Sequence, residues 1–219
     1  MTESPETERH EDDSSGLVYR VRPATDPSVP SLLLFHGLTG DEDVMWIVES
    51  ALPGGGLVAA PRAPFEAPEG GYSWVEDPEG PSIGFDDLGQ SVGSVSRWID
   101  SLEAAHGLDK DRMAYVGFSQ GAALGFALAR QPGLRPGAVV CLSGFLPDGP
   151  AQQLEGLPVF WGHGSRDDTL PIERAREDEG ALRDVGAEVH FCEADVGHKV
   201  GVECMRGLRT WLSEQFPSL

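Results

Sequence analysis

A chain of 219 residues with 36 acidic and 16 basic side chains carries a formal net charge of −20 at pH 7, which argues against nucleic acid and anionic membrane surfaces as partners. Hydrophobic content of 40% and aromatic content of 8% are those of a globular protein with a sizeable core. No apolar stretch reaches the roughly 20 residues of a membrane span, so stable membrane insertion is not expected.

Residues 1–15 are acidic and polar, without the apolar core of a signal peptide, and are expected to form a disordered tail. Residues 16–219 are expected to form one domain. Leu17 to Val21 alternates like an edge strand, and Ser31 to Phe35 reads as a buried strand ending at His36-Gly37-Leu38. Asp41 is expected to cap a helix through about Leu52, and Leu57 to Ala60 is the next strand. Residues 61–83 form a long loop rich in Pro, Gly and aromatics, of the kind that is often functional. An amphipathic helix is expected over about 85–105, closed by Gly107. The strand Met113 to Val116, a helix to Arg130, and the strand Ala138 to Leu142 follow. Leu157 to Trp161 is another strand. A helix over about 172–185, a last strand over 188–193 and a last helix over 200–215 complete the chain. Strands alternating with helices imply a mostly parallel α/β sheet with helices on both faces. Cys141, Cys192 and Cys204 lack metal-motif spacing and are expected as buried reduced thiols. Together with the absent signal peptide, this suggests a cytoplasmic protein.

The pattern Gly-x-Ser-x-Gly occurs twice. Gly117-Phe118-Ser119-Gln120-Gly121 lies between an apolar strand and a helix, the context of a nucleophile elbow, where Ser119 would sit at a helix N-terminus. Gly89-Gln90-Ser91-Val92-Gly93 has no preceding strand. Phe85, Leu88, Val92, Val95, Ile99 and Leu102 recur through it at helical spacing, so Ser91 is expected to be structural. A serine nucleophile needs a base. Of the later histidines, His163 precedes the candidate acids, His190 sits inside a strand, and His198 lies on a loop after the last strand; His198 is the expected base. The acid is expected in the preceding loop, where spacing leaves Asp167 and Asp168 as alternatives. The oxyanion donors are expected to be the backbone N–H groups of Gln120 and Leu38.

These residues, together with Leu34 to Glu42, Ala60-Pro61-Arg62-Ala63-Pro64, Tyr72-Ser73-Trp74 and Leu142-Ser143-Gly144-Phe145-Leu146-Pro147, resemble the phospholipase/carboxylesterase family of small α/β-hydrolases, which includes acyl-protein thioesterases. The likeness covers most of residues 16–215. It implies an α/β-hydrolase fold without a large cap, no cofactor or metal, and a Ser119/Asp167/His198 triad, with the family pattern placing the acid on Asp167 rather than Asp168. It implies a serine carboxylesterase acting on small-molecule esters through an acyl-enzyme, with acyl-protein thioesterase or lysophospholipase action as the alternative, and leaves room for a homodimer. One departure is Gly121-Ala122, where a Gly pair is common. Leu38, Phe65, Trp74, Phe145 and Leu170 lie on loops at the strand ends and are expected to line a shallow, open substrate cleft suited to short or medium acyl chains.

Overall fold

The computed structural model describes residues 7–78 and 82–216. The strands are β1 (Glu8–Asp12), β2 (Leu17–Arg22), β3 (Ser31–Phe35), β4 (Val58–Pro61), β5 (Phe65–Glu66), β6 (Tyr72–Ser73), β7 (Met113–Phe118), β8 (Ala138–Leu142), β9 (Pro158–Gly164) and β10 (Glu188–Ala194). The α-helices are α1 (Gly89–His106), α2 (Gln120–Ala129), α3 (Ile172–Asp184) and α4 (Val202–Gln215). The main sheet has the order β1-β2-β4-β3-β7-β8-β9-β10, and β5 and β6 form a separate hairpin. From β4 to β10 every neighbouring pair is parallel; β2 joins β4, and β1 joins β2, antiparallel. This is the α/β-hydrolase architecture.

The parallel strands are apolar on both sides, as a sheet covered on both faces requires. In β3, Leu33 and Phe35 face the layer of α1, α2 and α3, packed by Trp98, Leu124 and Leu182. Leu32 and Leu34 face the opposite layer, closed by Met45 and by Leu208 and Leu212 of α4. Gly107 ends α1 in the left-handed region at φ 69°, where glycine carries no Cβ penalty.

Two segments fold differently from what the sequence suggests. Of the expected tail, residues 1–6 lie outside the described residues, and Glu8–Asp12 is strand β1. Asp12 accepts from the Ser15 N–H (2.8 Å), Gly16 turns the chain at φ 73°, and Arg9 pairs with Glu42 at 2.9 Å. These bonds anchor a segment whose acidic composition alone reads as disordered. The segment after Asp41 is a 3₁₀ stretch, Val44–Ala51, rather than an α-helix capped by Asp41. The Asp41 carboxylate instead accepts from Asp43 N–H (2.9 Å) in an Asx turn, and Leu52, preceding Pro53, is extended.

The cysteines divide. Cys141 is a buried thiol, raised well above its ordinary pKa by burial. Cys192 on β10 and Cys204 on α4 form a disulfide. This pairing overturns the expectation of three reduced thiols and removes one of the two supports for a cytoplasmic location. Among the described residues no helix is long and apolar enough to cross a membrane.

Candidate active site

The carboxyl ends of β3, β7, β8, β9 and β10 converge on one edge of the sheet, and each is followed by a loop carrying a candidate residue. Ser119 follows β7 and has φ 51° and ψ −119°, a strained conformation for a residue with a Cβ. It persists because the turn is fixed from both sides: Ser119 N–H donates to Leu142 O (2.9 Å), and Ser119 O accepts from Ala122 N–H (3.0 Å). A Cβ at Gly117 would lie 2.4 Å from Ala122, and one at Gly121 would lie 2.2 Å from Phe35 O. Both positions therefore require glycine. Two further non-glycine residues with positive φ, Thr39 and Ser143, lie on loops at the same edge, so backbone strain concentrates here.

His198 lies on the loop between β10 and α4. Its Nδ1 is 2.8 Å from Asp167 Oδ2. The Asp167 carboxylate is buried; its other oxygen accepts from the N–H groups of Thr169 (3.0 Å) and Leu170 (2.8 Å). Burial alone would raise the Asp167 pKa, but these bonds and His198 outweigh it and hold the group below its ordinary value. Asp168 is exposed. The His198 ring packs on Phe118, the residue before Ser119, with centroids 5.0 Å apart. The loop itself is braced twice: Lys199 O accepts from Ser143 Oγ (3.0 Å), and Gly164 packs so closely on Gly197 that a Cβ would lie 2.2 Å from its carbonyl oxygen.

Leu38 sits on the loop after β3. Among the described residues its N–H has no backbone acceptor, and Gln120 is the first residue of α2, where N–H groups lack helical partners. Gly37 brings the Leu38 loop onto the elbow, since its Cβ would lie 3.3 Å from Ser119 Cβ. His36 is fully buried. Ala63 N–H donates to its Nε2 (3.0 Å), so Nδ1 carries the proton and faces Gly37 O (2.7 Å). Burial pushes the His36 pKa down to about 4, which keeps the imidazole neutral in this role. Nearby, burial would raise the Glu42 carboxyl, but hydrogen bonds from Arg62 and Arg9 hold it at about 2.

Gln120 does more than its backbone suggests. Its side-chain oxygen accepts from Trp74 N–H (2.7 Å) and Ser73 Oγ (3.3 Å), tying the 61–83 loop to the elbow. A buried Gln opening a helix is the sequence signal for such a tie. His163, expected as structural, donates from Nε2 to Leu170 O (2.8 Å) and so braces the acid loop.

The apolar cavity next to the candidate triad is not lined by most of the residues expected at the cleft. The cavity, of about 920 Å³, opens beside His198 and Phe118, between the 3₁₀ stretch and α4. It is open, and its volume is near the top of the range for ligand pockets. Of the expected apolar residues only Leu38 lines it; Phe65, Trp74, Phe145 and Leu170 do not. Trp74 is fully buried, because its indole N–H donates to His36 O (2.8 Å) and the ring packs edge-on to Phe35. Phe145 packs on the core beside α3, and Phe65 faces a separate polar recess with Asp86 and Asp87. Leu170 serves the acid loop through both its N–H and its carbonyl. Among the described residues no cluster of His, Cys, Asp and Glu is suited to hold a metal ion.

Comparison with known proteins agrees with this architecture. A rice protein (Oryza sativa subsp. japonica) named as a probable carboxylesterase is 31% identical over 170 residues, 70% of this chain and 63% of that protein. A second rice protein, named as a probable inactive carboxylesterase, is 30% identical over 155 residues, 64% of this chain and 63% of that protein. The matched segments thus span under two thirds of these relatives' lengths. The crystal structure of a carboxylesterase from Mesorhizobium loti superposes with a TM-score of 0.82 at 22% identity, covering 94% of this chain and 98% of that one; at that identity the likeness concerns the fold. The model of the phospholipase/carboxylesterase family matches residues 18–215, and the chain belongs to that family.

Proposed function

We propose that the protein is a serine carboxylesterase that hydrolyses short- to medium-chain carboxylic esters through an acyl-enzyme on Ser119. The observation that carries this reading is the His198 imidazole bonded at 2.8 Å to the buried Asp167 carboxylate, beside a serine on a strained strand-to-helix turn. A protein that only binds esters has no need of that pair. His198 Nε2 takes the Ser119 proton as Oγ attacks the ester carbonyl, while Asp167 holds the ring orientation and stabilises the imidazolium. The oxyanion meets the Leu38 and Gln120 N–H groups. Collapse expels the alcohol, which takes its proton from His198, and water then releases the acid by the reverse sequence. The cavity beside His198 supports an apolar chain on the substrate.

The test is hydrolysis of p-nitrophenyl butyrate by the wild type and by Ser119→Ala, with fluorophosphonate labelling alongside. The variant should lose kcat by about 10⁴-fold or more and should not label. A variant that retains the wild-type rate overturns the assignment. Parallel rates on an S-acyl peptide separate ester from thioester preference.

A further inference from the structure

The walls of the cavity combine two features that each stand out against the rest of the molecule. Leu38, Val44, Ile47 and Val202 are the large hydrophobic side chains that remain exposed among the described residues, with Ile47 at 80%, and all four line this cavity. The second feature is charge. In a chain with 36 acidic and 16 basic residues, cations find carboxylates easily. Arg9, Arg20, Arg22, Arg62, Lys110, Arg166, Arg174, Arg176 and Arg183 are ion-paired, and Arg97, Arg112, Arg130 and Arg135 are hydrogen-bonded. Among the described residues the side chains without such a partner are Lys199, Arg206 and Arg209, and all three line the cavity.

Their placement is directional. Val202, Met205, Arg206 and Arg209 fall on one face of α4 at helical spacing. The helix starts just after His198 and runs back along the sheet away from the site. At 1.5 Å per residue, Arg206 and Arg209 stand about 6 and 10 Å along the axis from Val202. Past Lys199, which adjoins His198 in sequence, a chain running along α4 therefore meets hydrocarbon before the unneutralised guanidinium groups of Arg206 and Arg209. Resting on the esterase reading above, we propose that this cavity selects esters whose apolar chain ends in an anionic group, a carboxylate or a phosphate, with the anion on Arg206 and Arg209. A strongly acidic protein otherwise repels anionic substrates, and a local cationic end to the groove offsets that field.

The experiment compares p-nitrophenyl monoesters of dicarboxylic acids of increasing length with their neutral ω-methyl-ester counterparts, and with chains ending in a phosphate monoester. In the wild type, kcat/KM for the anionic member should exceed that of its neutral partner by about fivefold at low salt, with the ratio falling as salt screens the arginines. The ratio should drop to about one in Arg206→Ala/Arg209→Ala and invert in Arg206→Glu/Arg209→Glu. The carboxylate and phosphate series show which anion is preferred. Calorimetric titration of Ser119→Ala with monomethyl suberate and dimethyl suberate measures the same discrimination without turnover. If no ester is hydrolysed but the charged ligand binds more tightly, the esterase reading fails and the anion site stands. Equal handling of charged and neutral chains in both assays overturns the proposal. So does a ratio untouched in the arginine variants, or arginine-dependent sedimentation with phosphatidylglycerol vesicles without chain discrimination, which would assign the face to a membrane surface.

Discussion

Residues 117–121 and 89–93 carry the same spacing of glycine and serine, and the protein uses them in opposite ways. In the first, both glycines are sterically obligatory, with a Cβ meeting backbone at 2.4 Å and 2.2 Å, and the serine is forced to φ 51°. In the second, a Cβ at Gly89 meets nothing within 4 Å, and one at Gly93 meets only the end of the Arg97 side chain at 3.8 Å. Ser91 is buried in α1 and donates to Trp74 O at 2.7 Å. One copy bends the backbone sharply at its serine, between a strand and a helix; the other is a helix turn whose serine holds Trp74 of the 61–83 loop. A motif's meaning here lies in whether its glycines are needed. Alanine substitution reads that directly.

The largest effect is expected at Gly121. An alanine there drives its methyl into Phe35 O, and backbone on backbone cannot yield as a side-chain tip can. Gly121→Ala should destabilise by about 3 kcal/mol or more, seen as a large drop in thermal midpoint or failure to fold. A variant that melts with the wild type would show that the elbow is looser than its contacts imply.

Acid should separate the two regions next. His36 backs the elbow, since its carbonyl would lie 2.5 Å from a Gly121 Cβ. Its pKa falls from 6.5 in the unfolded chain to about 4 in the fold, through burial. Between those values the unfolded chain binds more protons, so stability is fully present above pH 6.5 and is lost as pH falls toward 4. Down to pH 4.5 the loss should reach about 2–3 kcal/mol. Glu42, held at about 2, begins to weaken the fold only as pH nears its unfolded value of 4.5 and adds about 0.4 kcal/mol to the loss there. Urea denaturation at pH 7 and 4.5 measures the difference, and His36→Gln should shrink it. Hydrogen exchange at the two sites should show the elbow losing protection before α1 does.

Much of the candidate site's arrangement was readable from local order. A strand, a glycine-flanked serine, and an acid and a histidine on later loops are features of chain sequence, and the parallel sheet brings such loops to one edge. What eluded the sequence depends on contacts between distant segments. Trp74 reads as a cleft aromatic because its loop is rich in Pro and Gly, yet its N–H groups find Gln120 and His36 inside the fold. Cys192 and Cys204 are 12 residues apart, and only the packing of α4 on β10 brings them together. The cavity was missed because the Val44–Ala51 stretch is 3₁₀, so Ile47 does not reveal its outward face through an α-helical period.

The smallest expected effect is the most discriminating, because it has the opposite sign. Gly93 lies inside α1, where glycine leaves the unfolded chain more freedom and the helix less support than alanine does. Its Cβ site is open, so Gly93→Ala should stabilise by about 0.4–1 kcal/mol. In a chain of this size that raises the thermal midpoint by roughly 2–4 °C per kcal/mol. Ester hydrolysis should persist, since the residue touches neither the elbow nor the cavity. A fall in midpoint would mean that the second copy also needs its glycine, and the distinction between the two pentapeptides would then rest on the strain at Ser119 alone.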